Sequence, residues 1–135
     1  MNVKPVTTQF AVAPQITVVD LKAIATAGFK TIICHRPDGE ELQQPTASEI
    51  KAVALSLGLA FHHQPVQSGK LCTTDVDDFE HLWQTSQHPI LAYCRSGKRS
   101  ITLWARTALR AGRQTRQEIL HLARNAGYDL RDCLN

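Results

Sequence analysis

Pro89-Ile90-Leu91-Ala92-Tyr93-Cys94-Arg95-Ser96-Gly97-Lys98-Arg99-Ser100 is the stretch that decides how this chain is read. Its first five residues are uncharged and apolar or aromatic, the composition of a strand buried on both faces. At Cys94 the run breaks into a short turn holding a glycine and three cations. Apolar residues then recur at helical spacing from about Arg99 to Ala111, and Gly112 follows as a stop. A strand that turns directly into a helix is the unit of parallel α/β sheets, and such sheets bind ligands outside the carboxyl ends of their strands. Cys94 is therefore expected at the binding edge of a sheet.

The neighbouring segments repeat this alternation. Phe29-Lys30-Thr31-Ile32-Ile33-Cys34 and Leu59-Ala60-Phe61-His62-His63 read as strands, with Phe10-Ala11-Val12 as a weaker edge strand. Thr17…Asp20, Thr46…Glu49, Thr74…Asp77 and Thr115…Glu118 have the spacing of capping boxes, in which a hydroxyl and an acid satisfy the free N–H groups of a helix start. They predict helices over Val18–Ala27, Ala47–Leu57, a segment following Thr74, and Arg116–Ala126. The expected fold is α/β: a single domain over residues 1–135 with a mainly parallel, four- to five-stranded sheet flanked by helices.

Composition excludes several classes. Hydrophobic residues make up 43% of the chain and charged residues 20%, as in globular proteins. No apolar run approaches the ~20 residues of a membrane span, and no leader is visible at the start, so a cytoplasmic location is expected. The net charge of +3 is mild, and the basic residues are not interleaved with aromatics, which argues against a nucleic-acid partner. Cys34, Cys72, Cys94 and Cys133 form no Cys-x-x-Cys pair, so free thiols are expected and neither a metal nor a cofactor. His62 and His63 point to opposite faces of a strand and lack a third ligand. Trp83 and Trp104 have the spacing of core residues, and the arginine-rich stretch Arg106–Arg116 reads as a solvated surface.

The chemistry of the turn follows from its residue types. Successive backbone N–H groups and the positive end of the following helix favour an anion, and they favour the thiolate form of Cys94. Gly97 allows close backbone approach. Arg99 offers a planar fork for bidentate contact with an oxyanion. Cys94, Arg99 and Ser100 are the candidate catalytic residues, with Arg95, Ser96, Gly97 and Lys98 as the anion-binding loop. Ser100 is placed to bond the thiolate or the loop. Arg36 and Asp38 are possible accessory groups at the same sheet edge, although Pro37-Asp38-Gly39 also suits a plain turn. Cys34 or Cys72 could serve as a resolving thiol.

Tyr93 through Ser100 resembles the active-site loop of rhodanese sulfurtransferases, and also a shortened protein tyrosine phosphatase loop. Over most of the chain, through Pro14-Gln15-Ile16-Thr17, Ala27-Gly28-Phe29-Lys30-Thr31, Arg36-Pro37-Asp38-Gly39-Glu40, Pro65-Val66 and Ser68-Gly69, the sequence resembles the DUF442 or beta-lactamase-hydrolase-like phosphatase-like domain family. That resemblance implies a dual-specificity-phosphatase-like fold and a cysteine-based activity. Domains of this kind are fused to persulfide-handling enzymes in some bacteria, which points towards sulfur.

Two departures from the phosphatase pattern point the same way. Four residues separate Cys94 from Arg99, where phosphatases have five, and Gln67-Ser68-Gly69 stands where they carry a general-acid Asp. Sulfite or a thiol leaves without a proton donor far more readily than an alkoxide. The favoured expectation is therefore sulfane-sulfur transfer through a Cys94 persulfide. The substrate would be a small anion such as thiosulfate, a persulfide or a phosphate ester, with a thiol or persulfide-handling protein as a possible partner. Phosphomonoester hydrolysis is the alternative, followed by an anion-binding regulatory module without turnover.

Overall fold

A computed structural model describes residues 2–134; Met1 and Asn135, the ends of the expected 1–135 domain, lie outside the described residues. Five strands form one sheet: β1 (Lys4–Thr7), β2 (Phe10–Ala13), β3 (Thr31–Cys34), β4 (Ala60–His63) and β5 (Ile90–Tyr93). Their spatial order is β1-β2-β5-β3-β4, with β1 antiparallel to β2 and every other pair parallel. The helices are α1 (Leu21–Thr26), preceded by a 3₁₀ turn over Val18–Asp20, then α2 (Ala47–Ser56), α3 (Thr73–Thr85), α4 (Lys98–Ala111) and α5 (Arg116–Asn125).

The period-two alternation of side chains sorts the core into two layers. Phe10, Val12, Ile33, Ile90 and Ala92 face α3, α4 and α5, where they meet Phe79, Ile101, Trp104 and Ile119. Ala11, Ala13, Ile32, Cys34, Leu91 and Tyr93 face α1 and α2 and meet Leu21, Ile24 and Ile50. Trp104 lies nearly parallel to Phe10 at a centroid distance of 5.5 Å. A pair of this kind adds about 1 kcal/mol to the area it buries.

Several expectations are corrected. Phe10–Val12 is not an edge strand: β1, a strand the sequence reading omitted, covers it. The third capping box is not Thr74…Asp77. Cys72 caps α3 and receives Asp75 in return, the Asp75 Oδ2 accepting from Cys72 N at 3.0 Å. Asp77 instead pairs with Arg110 at 2.6 Å. The boxes at Thr17 and Thr115 form as expected, and Thr46 accepts from Glu49 N at 3.1 Å. The arginine-rich stretch is a solvated surface as expected, with Arg110, Arg113 and Arg116 exposed, and ion pairs and hydrogen bonds also tie it down. Arg113 pairs with Glu80, and Arg106 and Arg116 donate to the carbonyls of Cys133 and Leu134. Trp104 is core, whereas Trp83 is only partly buried. His62 and His63 lie on the edge strand β4, where His62 is half-buried and His63 exposed. Among the described residues no metal-binding cluster exists, and no helix is long and apolar enough to cross a membrane.

Candidate active site

The site forms where β5 ends in the centre of the sheet. Cys94 follows the last strand residue, and Gly97 precedes α4 with φ of +92°, a conformation that L side chains resist. The Gly97 N–H donates to Cys94 Sγ at 3.1 Å. The Arg95 carbonyl faces away from the loop and accepts from Gln15 N at 3.3 Å. Cys94 is fully buried, while Arg95, Ser96, Lys98 and Arg99 line an open cleft of about 660 Å³ together with Arg36, Glu40, Glu41 and Ser68.

Glu40 and Glu41 organise the arginines of this cleft. Glu40 takes Arg99 end-on, Oε2 to Nη1 at 2.8 Å and Oε1 to Nη2 at 2.9 Å, and Arg99 Nη1 also donates to the Val66 carbonyl at 2.9 Å. Three of the five guanidinium hydrogens are thereby used. The two that remain, on Nε and Nη2, share one edge, the geometry that a bidentate contact with an anion needs. The Arg99 bonds hold the Glu40 carboxyl below its usual range, with Arg36 contributing. Glu40 is therefore ionised at neutral pH.

Arg36, 3% exposed, has all three guanidinium nitrogens engaged. Nε meets Glu40 at 2.9 Å, Nη2 meets Glu41 at 2.8 Å, and Nη1 meets the Gln15 side chain at 3.0 Å. It braces the two acids at the wall of the cleft. The Asp38 carboxylate accepts from Ala47 N at 2.8 Å, which ties it to the start of α2. Ser100 is buried, and its Oγ has no hydrogen-bond partner among the described residues, so the expected bond to the thiolate is not formed. Arg95 reaches Glu41 at 3.2 Å, and Lys98 Nζ donates to the Asp129 carbonyl at 2.8 Å. Ser96 Oγ accepts from Lys98 N at 3.3 Å.

The structure does not bring Cys72 to this cleft. It lines a separate, more apolar pocket with Leu71, Val76 and Leu134. Cys34 is buried, its Sγ lies 3.4 Å from the Arg36 carbonyl, and burial raises its pKa.

Glu40, Glu41 and Gln15 were not among the sequence candidates. The doublet Glu40-Glu41 beside Arg36 was the available signal. His35 was missed as well. It directly follows β3, is fully buried, and places Nδ1 3.2 Å from the Gln64 carbonyl, leaving Nε2 without a partner. Burial lowers its pKa to about 4. Below pH 6.5 the unfolded chain gains a proton that the folded chain does not accept until about pH 4, so stability is lost as pH falls through this window. The expected loss from His35 is about 3 kcal/mol. Urea unfolding of the wild type and His35→Leu at pH 7.5 and pH 4.5 checks it, the variant showing the smaller decline.

A family model described as the phosphatase-like domain of beta-lactamase hydrolase-like protein matches residues 2–111. Beta-lactamase hydrolase-like proteins of Xylella fastidiosa and Agrobacterium fabrum are 31% and 30% identical over 96% and 90% of this chain. The chain spans only 30% and 28% of their respective lengths. A crystal structure of a Neisseria meningitidis protein, described as a candidate phosphatase, is 38% identical with a TM-score of 0.87, covering 98% of this chain and 93% of that one. A DUF442 protein from Shewanella putrefaciens, also described as a candidate phosphatase, shares the fold with a TM-score of 0.78 at 15% identity, covering 98% of this chain and 82% of its own. The family model and the two solved structures carry phosphatase descriptions, so the preference for sulfur transfer is not what they support. Fold, loop and matched sequence agree that the chain belongs to the beta-lactamase hydrolase-like protein, phosphatase-like domain family.

Proposed function

We propose that this chain is a cysteine-dependent phosphatase acting on small phosphate esters or anhydrides whose leaving groups depart without protonation. The carrying observation is the convergence of three groups at one strand end: the Cys94 thiol, the Gly97 N–H 3.1 Å from it, and an Arg99 guanidinium held end-on by Glu40. In the first step the Cys94 thiolate attacks phosphorus while the bond to the leaving oxygen breaks and that oxygen takes the electron pair. The loop N–H groups and Arg99 neutralise the charge on the phosphoryl oxygens. Water then attacks the cysteinyl-phosphate and gives its proton to solvent. The S–P bond breaks with the electron pair returning to sulfur, and orthophosphate is released.

The restriction on the leaving group comes from the acids. Glu40 and Glu41 are paired with arginines, Asp38 is held on Ala47 N, and the Gln67-Ser68-Gly69 segment has no carboxyl group. A proton donor contributes roughly 10²–10⁴-fold where the leaving group needs one. A series of aryl phosphates is therefore expected to react more slowly as the pKa of the departing phenol rises, and alkyl phosphates are expected to be turned over at least about 10²-fold more slowly than p-nitrophenyl phosphate. A rate independent of the leaving group would show that the site holds an acid. Intact-mass spectrometry of the quenched reaction is expected to show one added phosphoryl group, absent from Cys94→Ser.

Sulfur transfer is the second reading, favoured by the four-residue spacing of Cys94 and Arg99 and by the same lack of an acid. There the thiolate attacks the outer sulfur of thiosulfate, and sulfite leaves with the electron pair of the broken S–S bond. A Cys94-dependent mass gain of one sulfur, discharged by cyanide and unaccompanied by phosphate release from any ester, would replace the phosphatase reading. Silence in both assays would leave an anion-binding module.

A further inference from the structure

The segment after α5 lies outside the residues 2–111 matched by the family, yet it touches the Cys94 loop at two points. Tyr128 donates its hydroxyl to the Ser96 carbonyl at 2.8 Å, and the Asp129 carbonyl accepts from Lys98 Nζ at 2.8 Å. The Ser96 carbonyl belongs to the same peptide as the Gly97 N–H that donates to Cys94 Sγ. In a planar trans peptide these two groups point in opposite directions, so a bond that holds the carbonyl outward aims the N–H at the sulfur. A glycine at this position makes the constraint necessary. With no Cβ to penalise other backbone angles, the 96–97 peptide is able to rotate until its carbonyl oxygen faces the anion site.

We propose that Tyr128 is a positioning residue that locks the Ser96–Gly97 peptide with its N–H donor facing Cys94 and the bound anion. The proposal rests on the reading of this loop as the anion site of the reaction above. Its surroundings fit the role. The phenol ring packs beneath the Lys4 ammonium, 4.9 Å from the ring centroid, and a Cβ on Gly97 would overlap the Tyr128 hydroxyl. Burial, with the Cys94 charge adding to it, raises the pKa of the phenol, which therefore remains a donor at neutral pH.

The test is Tyr128→Phe, which keeps the ring, the packing and the Lys4 contact and removes one oxygen. Three changes are expected. The kcat for p-nitrophenyl phosphate falls by about tenfold to a hundredfold, as for the partial loss of an oxyanion donor. The dissociation constant for inorganic phosphate rises by about tenfold. Alkylation of Cys94 by iodoacetamide at pH 7 slows. Tyr128→4-aminophenylalanine, which restores a donor at the same place, is expected to recover all three. Lys4→Met, which removes the cation and leaves the hydroxyl bond, is expected to match the wild type. Unchanged phosphate affinity and alkylation rate in Tyr128→Phe would overturn the proposal. A wild type without activity on phosphate esters would instead overturn the phosphatase reading, and the binding and alkylation arms would still decide the role of Tyr128.

Discussion

Replacing Cys94 with serine is expected to lower turnover of p-nitrophenyl phosphate by at least roughly 10⁴-fold while leaving the fold and the affinity for inorganic phosphate nearly intact. The substitution exchanges one atom at a fully buried position, so neither packing layer of the sheet is disturbed. The Gly97 N–H and Arg99, which receive the anion in the proposed reaction, are unchanged. What is lost is the nucleophile. A hydroxyl holds its proton at neutral pH, and a covalent route through serine needs an adjacent base to remove it. Steady-state kinetics together with phosphate titration calorimetry separates the two effects. A variant that kept a tenth of the wild-type rate would remove Cys94 from the covalent step.

Arg99→Lys is expected to reduce kcat/KM by about 10²–10³-fold, although charge is conserved. Arg99 bonds Glu40 through two hydrogen bonds and the Val66 carbonyl through a third, and in the proposed reaction its remaining edge takes the anion. An ammonium has three hydrogens and no planar edge, so it cannot satisfy Glu40 and Val66 and still grip two oxygens of a phosphoryl group. The change also releases part of the Glu40 charge at the mouth of the cleft, where it opposes an incoming anion. Adding Glu40→Gln to the lysine variant should therefore restore part of the lost phosphate affinity without restoring kcat. A lysine variant within threefold of the wild type would show that guanidinium geometry plays no part in the reaction.

The balance between sulfur and phosphate illustrates how far the loop sequence carries. The four-residue spacing favoured sulfur transfer because a shorter loop is better sized for a sulfane sulfur, and the missing Asp because sulfite leaves without a proton donor. A cysteine that accepts from a backbone N–H and lies beside an arginine suits either chemistry, and it was similarity across the chain that moved the reading to phosphate. The position of the cysteine, by contrast, followed directly from the apolar run ending at Tyr93 and the helix beginning beside Gly97.

Local information of this kind is what the sequence determined by itself. Apolar runs of strand length, hydroxyl-acid pairs at helix starts and the strand–turn–helix around Cys94 all act within a few residues, and they suffice for a parallel α/β sheet with a cysteine at its binding edge. Tertiary structure decided the rest. The strand Lys4-Pro5-Val6-Thr7 has little strand character alone and forms by pairing with β2. Cys72 replaces the expected threonine as a cap because Asp75, and not Asp77, lies within reach of the first turn of α3. Glu40 meets Arg99 across 59 residues, and Tyr128 meets Ser96 across 32. No period or motif spacing links residues so far apart, because the hydrogen bonds that join them exist only once the sheet has brought its strand ends and the C-terminal segment together.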